Sequence, residues 1–338
     1  MTYQPRMTPP ECVKLSVVIN NYNYARYLRA CIDSVICQMA SDTEIIVVDD
    51  GSTDGSLEVL RSYGELIRVV VQRNAGQAAA MNAGVAAAAG EILLLLDADD
   101  LFHPDKIAAI RKVFAGLDPE KPACLTHRFT WIDRDGRSLP GIARMLREHL
   151  ARLRSPGRLR RVMSAPQAAR TTARYGYLAW PCETRTSMFC LNRAMADRVF
   201  PIPARGARLR ADEFVVRGAM LSGDFYCLER ALTAYRDHGG NGWLHGTAGK
   251  TDREFQQALA DYLTEKYRAA GGEGRVDPED AVVTYIYVRD DLSIAERWRR
   301  SWRRSPRDLK SLAYLALLIA RRTPYWLGRN AARRLRHA

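Results

Sequence analysis

The chain carries three carboxylates at the end of an apolar run: Ile92-Leu93-Leu94-Leu95-Leu96 leads directly into Asp97-Ala98-Asp99-Asp100. Clustered carboxylates are hard oxygen ligands suited to Mg²⁺ or Mn²⁺, and such an ion commonly bridges protein and substrate phosphates. Residues i and i+2 of an extended segment share a face, so Asp97 and Asp99 are expected to point at one place. A run this short, opened by Gly90, suits a strand buried on both faces of a parallel sheet. Ligands of open α/β sheets bind beyond the carboxyl ends of the strands, where these acids would lie. The alternative is an acidic turn in which Asp99 or Asp100 caps a helix beginning near His103-Pro104.

The elements that would position these acids precede them. Residues 15–19 form a β-branched run ending at Asn20-Asn21-Tyr22-Asn23, and Leu28, Cys31, Ile32 and Val35 follow at helical spacing. A second strand, 44–48, ends at Asp49-Asp50-Gly51-Ser52-Thr53-Asp54, and Asp54 or Ser56 can cap a helix over 57–63. A third, 67–71, leads through Arg73-Asn74-Ala75-Gly76-Gln77 into an Ala-rich helix ending at Gly90. Strands alternating with helices predict a doubly wound, mostly parallel sheet whose polar strand ends share one pocket.

Beyond a helix at 106–114 the pattern is less regular. Residues 124–132 and the chain from Arg137 read as a hairpin around Asp133-Arg134-Asp135-Gly136. Residues 142–175 read as an Arg-rich helical insertion, 187–191 as a strand and 192–199 as a helix. A helix over 212–221 opens with Asp212-Glu213, and a strand over 225–235 ends at Arg236-Asp237-His238-Gly239-Gly240-Asn241.

At 338 residues and 47% hydrophobic content, the chain can bury a large core. The N-terminus lacks the apolar core of a signal peptide, and the apolar run 312–320 is too short to span a bilayer. Seven scattered cysteines without CxxC spacing suggest reduced thiols, hence a cytoplasmic protein. Of the net charge of +13, residues 297–338 hold +12, from 13 Lys+Arg against Asp308 alone. The body is nearly neutral, so the overall charge is no argument for nucleic-acid binding, and no nucleic-acid partner is expected.

Neither a G-x-G-x-x-G fingerprint after the first strand nor a Walker A loop is present, which weighs against dehydrogenase and P-loop chemistry. Four ordered motifs instead resemble the successive signatures of family 2 glycosyltransferases with a GT-A fold. They are Ser16-Val17-Val18-Ile19-Asn20-Asn21-Tyr22-Asn23, Val48-Asp49-Asp50-Gly51-Ser52-Thr53-Asp54, Asn74-Ala75-Gly76-Gln77 with Asn82-Ala83-Gly84, and Asp97-Ala98-Asp99-Asp100. The resemblance covers residues 14–245.

The resemblance implies a nucleoside-diphosphate sugar donor, a UDP-sugar favoured, and a glycan or lipid-linked acceptor. Asn20 and Tyr22 would line the base pocket, and Asp50 would accept the N3–H of a pyrimidine. Arg73, Asn74, Gly76 and Asn82 would lie along the nucleotide. In the Asp97-Ala98-Asp99 segment, Asp97 would reach ribose or metal and Asp99 the metal, Mn²⁺ or Mg²⁺. The leaving group is a diphosphate, so positive charge that meets its developing negative charge promotes departure. A carboxylate must take the acceptor's proton. Asp212 is the candidate, with Glu213 the alternative because the family's acidic pair more often runs Glu-Asp; a helix-dipole role would also explain both. Tyr235-Arg236-Asp237-His238 resembles the segment closing the catalytic domain. His238 would complete the metal shell or touch the diphosphate, and Arg236 would pair with phosphate or lie on the surface.

In the tail, Ala295, Trp298 and Trp302 share a helical face among arginines, as expected of a basic helix on an anionic membrane surface. The expected organisation is a nucleotide-sugar-binding half at 1–115, an acceptor-binding half at 116–245 and a basic helical extension at 246–338, peripheral on the inner face of the cell membrane. The expected activity is a metal-dependent, inverting glycosyl transfer. The competing readings are a nucleotidyl- or sugar-phosphate transferase and a non-catalytic binding protein with a decayed site.

Overall fold

The computed structural model describes residues 15–138, 157–175, 178, 185–205, 208–239 and 253–276. The N-terminal part alternates strand and helix as the apolar runs dictate: β1 (Leu15–Asn21), α1 (Ala25–Ile36), β2 (Thr43–Asp49), α2 (Ser56–Arg61), β3 (Arg68–Val71), α3 (Gln77–Ala87) and β4 (Ile92–Asp97). The four strands lie parallel in the order β3-β2-β1-β4. All of β1 is buried, as is β4 over Leu93–Leu96, because helices cover both faces of this part of the sheet. The helical spacing places Leu28, Cys31, Ile32 and Val35 of α1 in the core. Gly84 lets α3 lie directly on β1, since a Cβ there would stand 2.2 Å from Val18 Cγ1.

The second half continues with β5 (Leu101–Phe102), α4 (Lys106–Phe114), β6 (Ala123–Asp133), β7 (Leu159–Met163), α5 (Ala165–Tyr175), β8 (Cys190–Asn192), α6 (Arg193–Val199), α7 (Asp212–Ser222), β9 (Asp224–Asp237) and α8 (Arg253–Ala269). A 3₁₀ turn, Thr186–Met188, precedes β8. The full sheet order is β3-β2-β1-β4-β8-β6-β9-β5, with β7 paired to β9. One core layer packs α3, α6, α7 and α8 on one sheet face, and the other packs α1 and α4 on the opposite face.

One expectation is refined here and two are corrected. The chain does turn back at Asp133, whose N–H donates to the Arg137 carbonyl at 2.8 Å with the antiparallel bridge Ile132↔Ser138, and residues 139–156 lie outside the described ones; the main partner of β6 is the long β9, paired in parallel. The Arg-rich segment contains β7 as well as a helix. Arginines argue against a strand, yet Arg160 and Arg161 of β7 are exposed and pair with β9 acids, Arg161 with Asp224 at 3.2 Å and Arg160 with Glu229 at 3.7 Å. The strand expected over 187–191 is divided between the 3₁₀ turn and the three residues of β8.

Candidate active site

The carboxyl ends of β1, β2 and β4, the start of α3 and the start of α7 enclose a cavity of about 520 Å³. Its wall includes Asn20, Tyr22, Asp50, Asn74, Gly76, Asp97, Asp99 and Asp212 from the residues named above. Glu213 borders it too.

The acid cluster reaches this cavity by a turn, not by strand alternation. β4 ends at Asp97, and the Asp100 N–H donates to the Asp97 carbonyl at 3.0 Å. Asp97 and Asp99 nevertheless both border the cavity. The turn is held from several sides. Ala98 N–H donates to the Asn20 carbonyl (3.1 Å), and the side chain of Ala98 is buried beneath the turn, off the cavity wall. Asp100 is fully buried and points inward, accepting from Ser187 Oγ (2.6 Å) and Arg236 N–H (2.8 Å). Neither Asp99 nor Asp100 caps a helix; α4 starts only at Lys106, beyond β5.

Asp99 Oδ2 lies 3.1 Å from His238 Nε2, whose ring contacts those of Tyr24 and Tyr27. Burial, followed by the neighbouring charge of Asp99, pushes the Asp97 carboxyl up to about 7. That mutual repulsion is what a bound cation would relieve. No group of three or more His, Cys, Asp or Glu among the described residues forms a full metal cage. A two- or three-donor site of Asp99, His238 and Asp97 is the kind that Mg²⁺ or Mn²⁺ completes with water and substrate phosphate oxygens, so the residues fit the ion.

At the nucleotide end the expected residues fare differently. The Asp50 carboxylate accepts from Gln72 Nε2 (2.7 Å), Ala75 N–H (2.9 Å) and Gly76 N–H (2.8 Å), so most of its acceptor capacity already shapes the 74–76 loop. Asn20 is 8% exposed, and neither atom of its amide has a partner. Tyr22, 45% exposed, offers a ring at the rim. Gly76 has φ +93°, and a Cβ there would stand 2.6 Å from the Arg208 Cα, so only glycine admits this approach. Asn74 accepts from Arg208.

Besides Ala98, the predicted residues His238, Arg73 and Asn82 are not on the wall; His238 stands behind it against Asp99. Arg73 is exposed away from it. Asn82 spends both ends of its amide on the backbone of Ile202, at 2.7 and 2.9 Å, fastening α3 to the chain after α6. Arg236 is likewise neither surface-exposed nor turned to the cavity. It is 3% exposed, donates from Nε to the Asp99 carbonyl at 2.6 Å, and covers the Tyr27 ring at 4.7 Å.

The acidic pair opening α7 divides its work. Glu213 is buried and ion-paired to Arg210, whose Nε donates at 2.7 Å, and to Arg217 at 3.5 Å. Asp212 faces the cavity, and burial together with the Glu213 charge pushes its carboxyl up to about 6, against the opposing influence of Arg185 and Arg210. A carboxylate at that value is poised to accept a proton near neutral pH.

Other wall residues were given no role by the motifs: Tyr24, Gln77, Arg185, Thr186 and Tyr235. Gln77 Nε2 donates to Asp97 Oδ1 (3.2 Å), and Arg185 lies over the Tyr235 ring at 5.5 Å. Gln77 belongs to a quoted motif and was within reach of it; Arg185 sits in a segment whose residue types alone assign no role.

The glycosyl transferase family 2 model matches residues 16–155. An uncharacterized glycosyltransferase of Nostoc sp. is 32% identical over 330 residues, covering 95% of this chain and 92% of that protein. Glycosyltransferase GlyA of Streptococcus pneumoniae is 38% identical over 102 residues, only 29% of this chain and 15% of that one. Among solved structures, S. aureus TarS 1–349 in complex with UDP-GlcNAc aligns with a TM-score of 0.51 and 18% identity, over 85% of this chain and 70% of that one, a likeness of fold. With nearly the full length of the Nostoc protein matched, the chain belongs to glycosyl transferase family 2.

Proposed function

We propose that the cavity binds a UDP-sugar together with Mn²⁺ or Mg²⁺ and that Asp212 is the base of an inverting transfer to a hydroxyl of a glycan or lipid-linked acceptor, on a GT-A scaffold. The observation that carries this reading is the placement of the Asp97–Asp99 turn and Asp212 on one cavity. Family membership makes the chain a glycosyltransferase drawing on a nucleoside-diphosphate sugar. UDP is favoured because TarS, which shares the fold, is solved with UDP-GlcNAc.

Asp99 and His238 would hold the ion, with Asp97 beside them. When bound, the ion supplies positive charge against the departing diphosphate. The chain's own groups do the rest. Tyr22 and Asn20 meet the base, and Gly76 lets the backbone lie close to the nucleotide. Asp212 takes the acceptor proton, its ionised form present above about pH 6. Glu213 is kept from that role by its two arginines. Residues 1–115 would form the donor half and 116–245 the acceptor half.

The basic tail as a membrane-docking extension is a proposal from sequence alone, since residues 277–338 lie outside the described residues. Among the described residues, no helix is long and apolar enough to cross a membrane. Deletion of residues 292–338 should abolish co-sedimentation with anionic liposomes; unchanged sedimentation contradicts docking by this segment. For the site, UDP release from UDP-sugars by the full chain should require Mn²⁺ or Mg²⁺ and fail in Asp212→Asn. Unchanged release in that variant rejects Asp212 as the base.

A further inference from the structure

Beneath the acid turn lies a polar cluster to which the chemistry above assigns no part. Lys106, in the first turn of α4, has no exposed surface. Its Nζ donates to the Ser187 carbonyl at 2.7 Å and to Thr233 Oγ1 at 3.0 Å, and stands 3.6 Å from the centre of the Phe102 ring. Thr233 Oγ1 itself donates to the same Ser187 carbonyl at 3.0 Å. Burying an ammonium group is unfavourable unless its donors are satisfied, and an apolar side chain would fill this space without that penalty. The cation must therefore secure something that packing alone would not, and the group it secures is Ser187.

Ser187, also fully buried, faces the acid turn with its hydroxyl. The hydroxyl accepts from the Asp97 N–H at 3.0 Å and donates to Asp100 Oδ2 at 2.6 Å. One oxygen thus ties the first and last acids of the cluster together and fixes the turn from within. The adjoining residues act on the same space: Thr186 Oγ1 lies 3.3 Å from Gln77 Nε2, and Arg185 borders the cavity beside Asp212. The 3₁₀ turn therefore links the donor acids to the acceptor side.

We propose that Ser187 is a positioning residue, whose hydroxyl holds the Asp97–Asp100 turn in the conformation that receives the diphosphate, and that Lys106 holds Ser187. This rests on the assignment of the turn to the metal-bound donor. Ser187 touches no reacting atom.

The test is calorimetric titration of the full chain with UDP, in Mn²⁺ and in EDTA, alongside melting temperatures. Ser187→Ala should weaken Mn²⁺-supported UDP binding about tenfold or more, the loss of roughly one well-placed hydrogen bond. Ser187→Cys keeps the volume and a weak donor and should fall between Ala and wild type. Lys106→Met, which leaves the hydroxyl in place and removes the charged one of the two donors to the Ser187 carbonyl, should weaken binding about threefold to tenfold. If Ser187→Ala does not fold, Ser187→Cys and Lys106→Met carry the test. Wild-type UDP affinity in these variants, even with a lowered melting temperature, reduces the cluster to packing and overturns the proposal. An equal loss in Mn²⁺ and EDTA also overturns it, because the effect would then bypass the acid turn. UDP binding by wild type that ignores Mn²⁺ would instead reject the site assignment itself, and this inference with it.

Discussion

The two places where a parallel strand runs into acids, β2 into Asp49-Asp50 and β4 into Asp97-Ala98-Asp99-Asp100, look alike in sequence and differ in what their carboxylates do. At the end of β2 the acids are consumed by the protein. Asp49 accepts from Asn21 Nδ2 (2.7 Å) and Ser52 N–H (2.9 Å), and Asp50 accepts from Gln72, Ala75 and Gly76. At the end of β4 Asp100 is buried and used this way, while Asp97 and Asp99 border the cavity with side-chain contacts from Gln77 at 3.2 Å and His238 at 3.1 Å respectively, and repel each other. Satisfied carboxylates build the loop; crowded ones leave charge for a ligand to neutralise. The α7 pair repeats the division, Glu213 as the builder and Asp212 as the reactive group.

Substitutions should separate these classes cleanly. The largest effect is expected on the reactive side. Asp212→Asn should lower turnover by about 10²–10⁴-fold. In wild type the rate should fall as pH drops through about 6, because the base works ionised, and Glu213→Gln should retain an acidic limb but move it to lower pH, because the Glu213 charge helps raise the Asp212 carboxyl. Stability runs the other way. The folded Asp212 carboxyl lies above its ordinary 3.8, so its contribution to stability is present below that value and lost as pH rises through about 6. The free Asp212→Asn protein should therefore melt at or above the wild-type temperature at pH 7.5. A lower melting temperature there would make Asp212 a builder after all.

Next comes Asp50→Ala, which strands two backbone donors and one amide and should cost about 2–4 kcal/mol of folding stability. Chemical denaturation would measure it; a loss of nucleotide binding with no loss of stability would move Asp50 to the ligand-facing class. Gly76→Ala must push Arg208 away from a positive-φ position, at a cost of about 1–3 kcal/mol and with weaker UDP binding. Wild-type stability in that variant would show that the approach of Arg208 is slack. The smallest effect belongs to Asn20→Leu. Removing an amide that has no partner should leave the free protein as stable or more so, while UDP binds about tenfold more weakly. A clear drop in stability with UDP affinity intact would assign the amide to the fold.

This division also explains what could be read in advance. Apolar runs specified β1, β2 and β4, and the 3.6-residue spacing specified α1, because those signals are local. The strand-end location of the acids followed from the same pattern. Which acid faces the cavity did not: the donors that hold Asp100, Ser187 and Arg236, come from distant chain, and those that hold Glu213, Arg210 and Arg217, are near in sequence but read as ordinary charged positions around a helix start. Asn82 and Arg236 sit in recognisable segments yet serve the scaffold, for their partners are backbone groups that carry no residue signature. Lys106 reads as an ordinary polar position of a helix until β9 and the 3₁₀ turn close over it.

The central claim is that the β4 acids hold a metal-bound nucleotide. Its most direct measurement is calorimetric titration of UDP into wild type and Asp99→Asn, each in Mn²⁺ and in EDTA. The account predicts binding by wild type in Mn²⁺ alone, and its loss in Asp99→Asn with the melting temperature of the free protein unchanged or raised. Equal UDP affinity in all four titrations would contradict it.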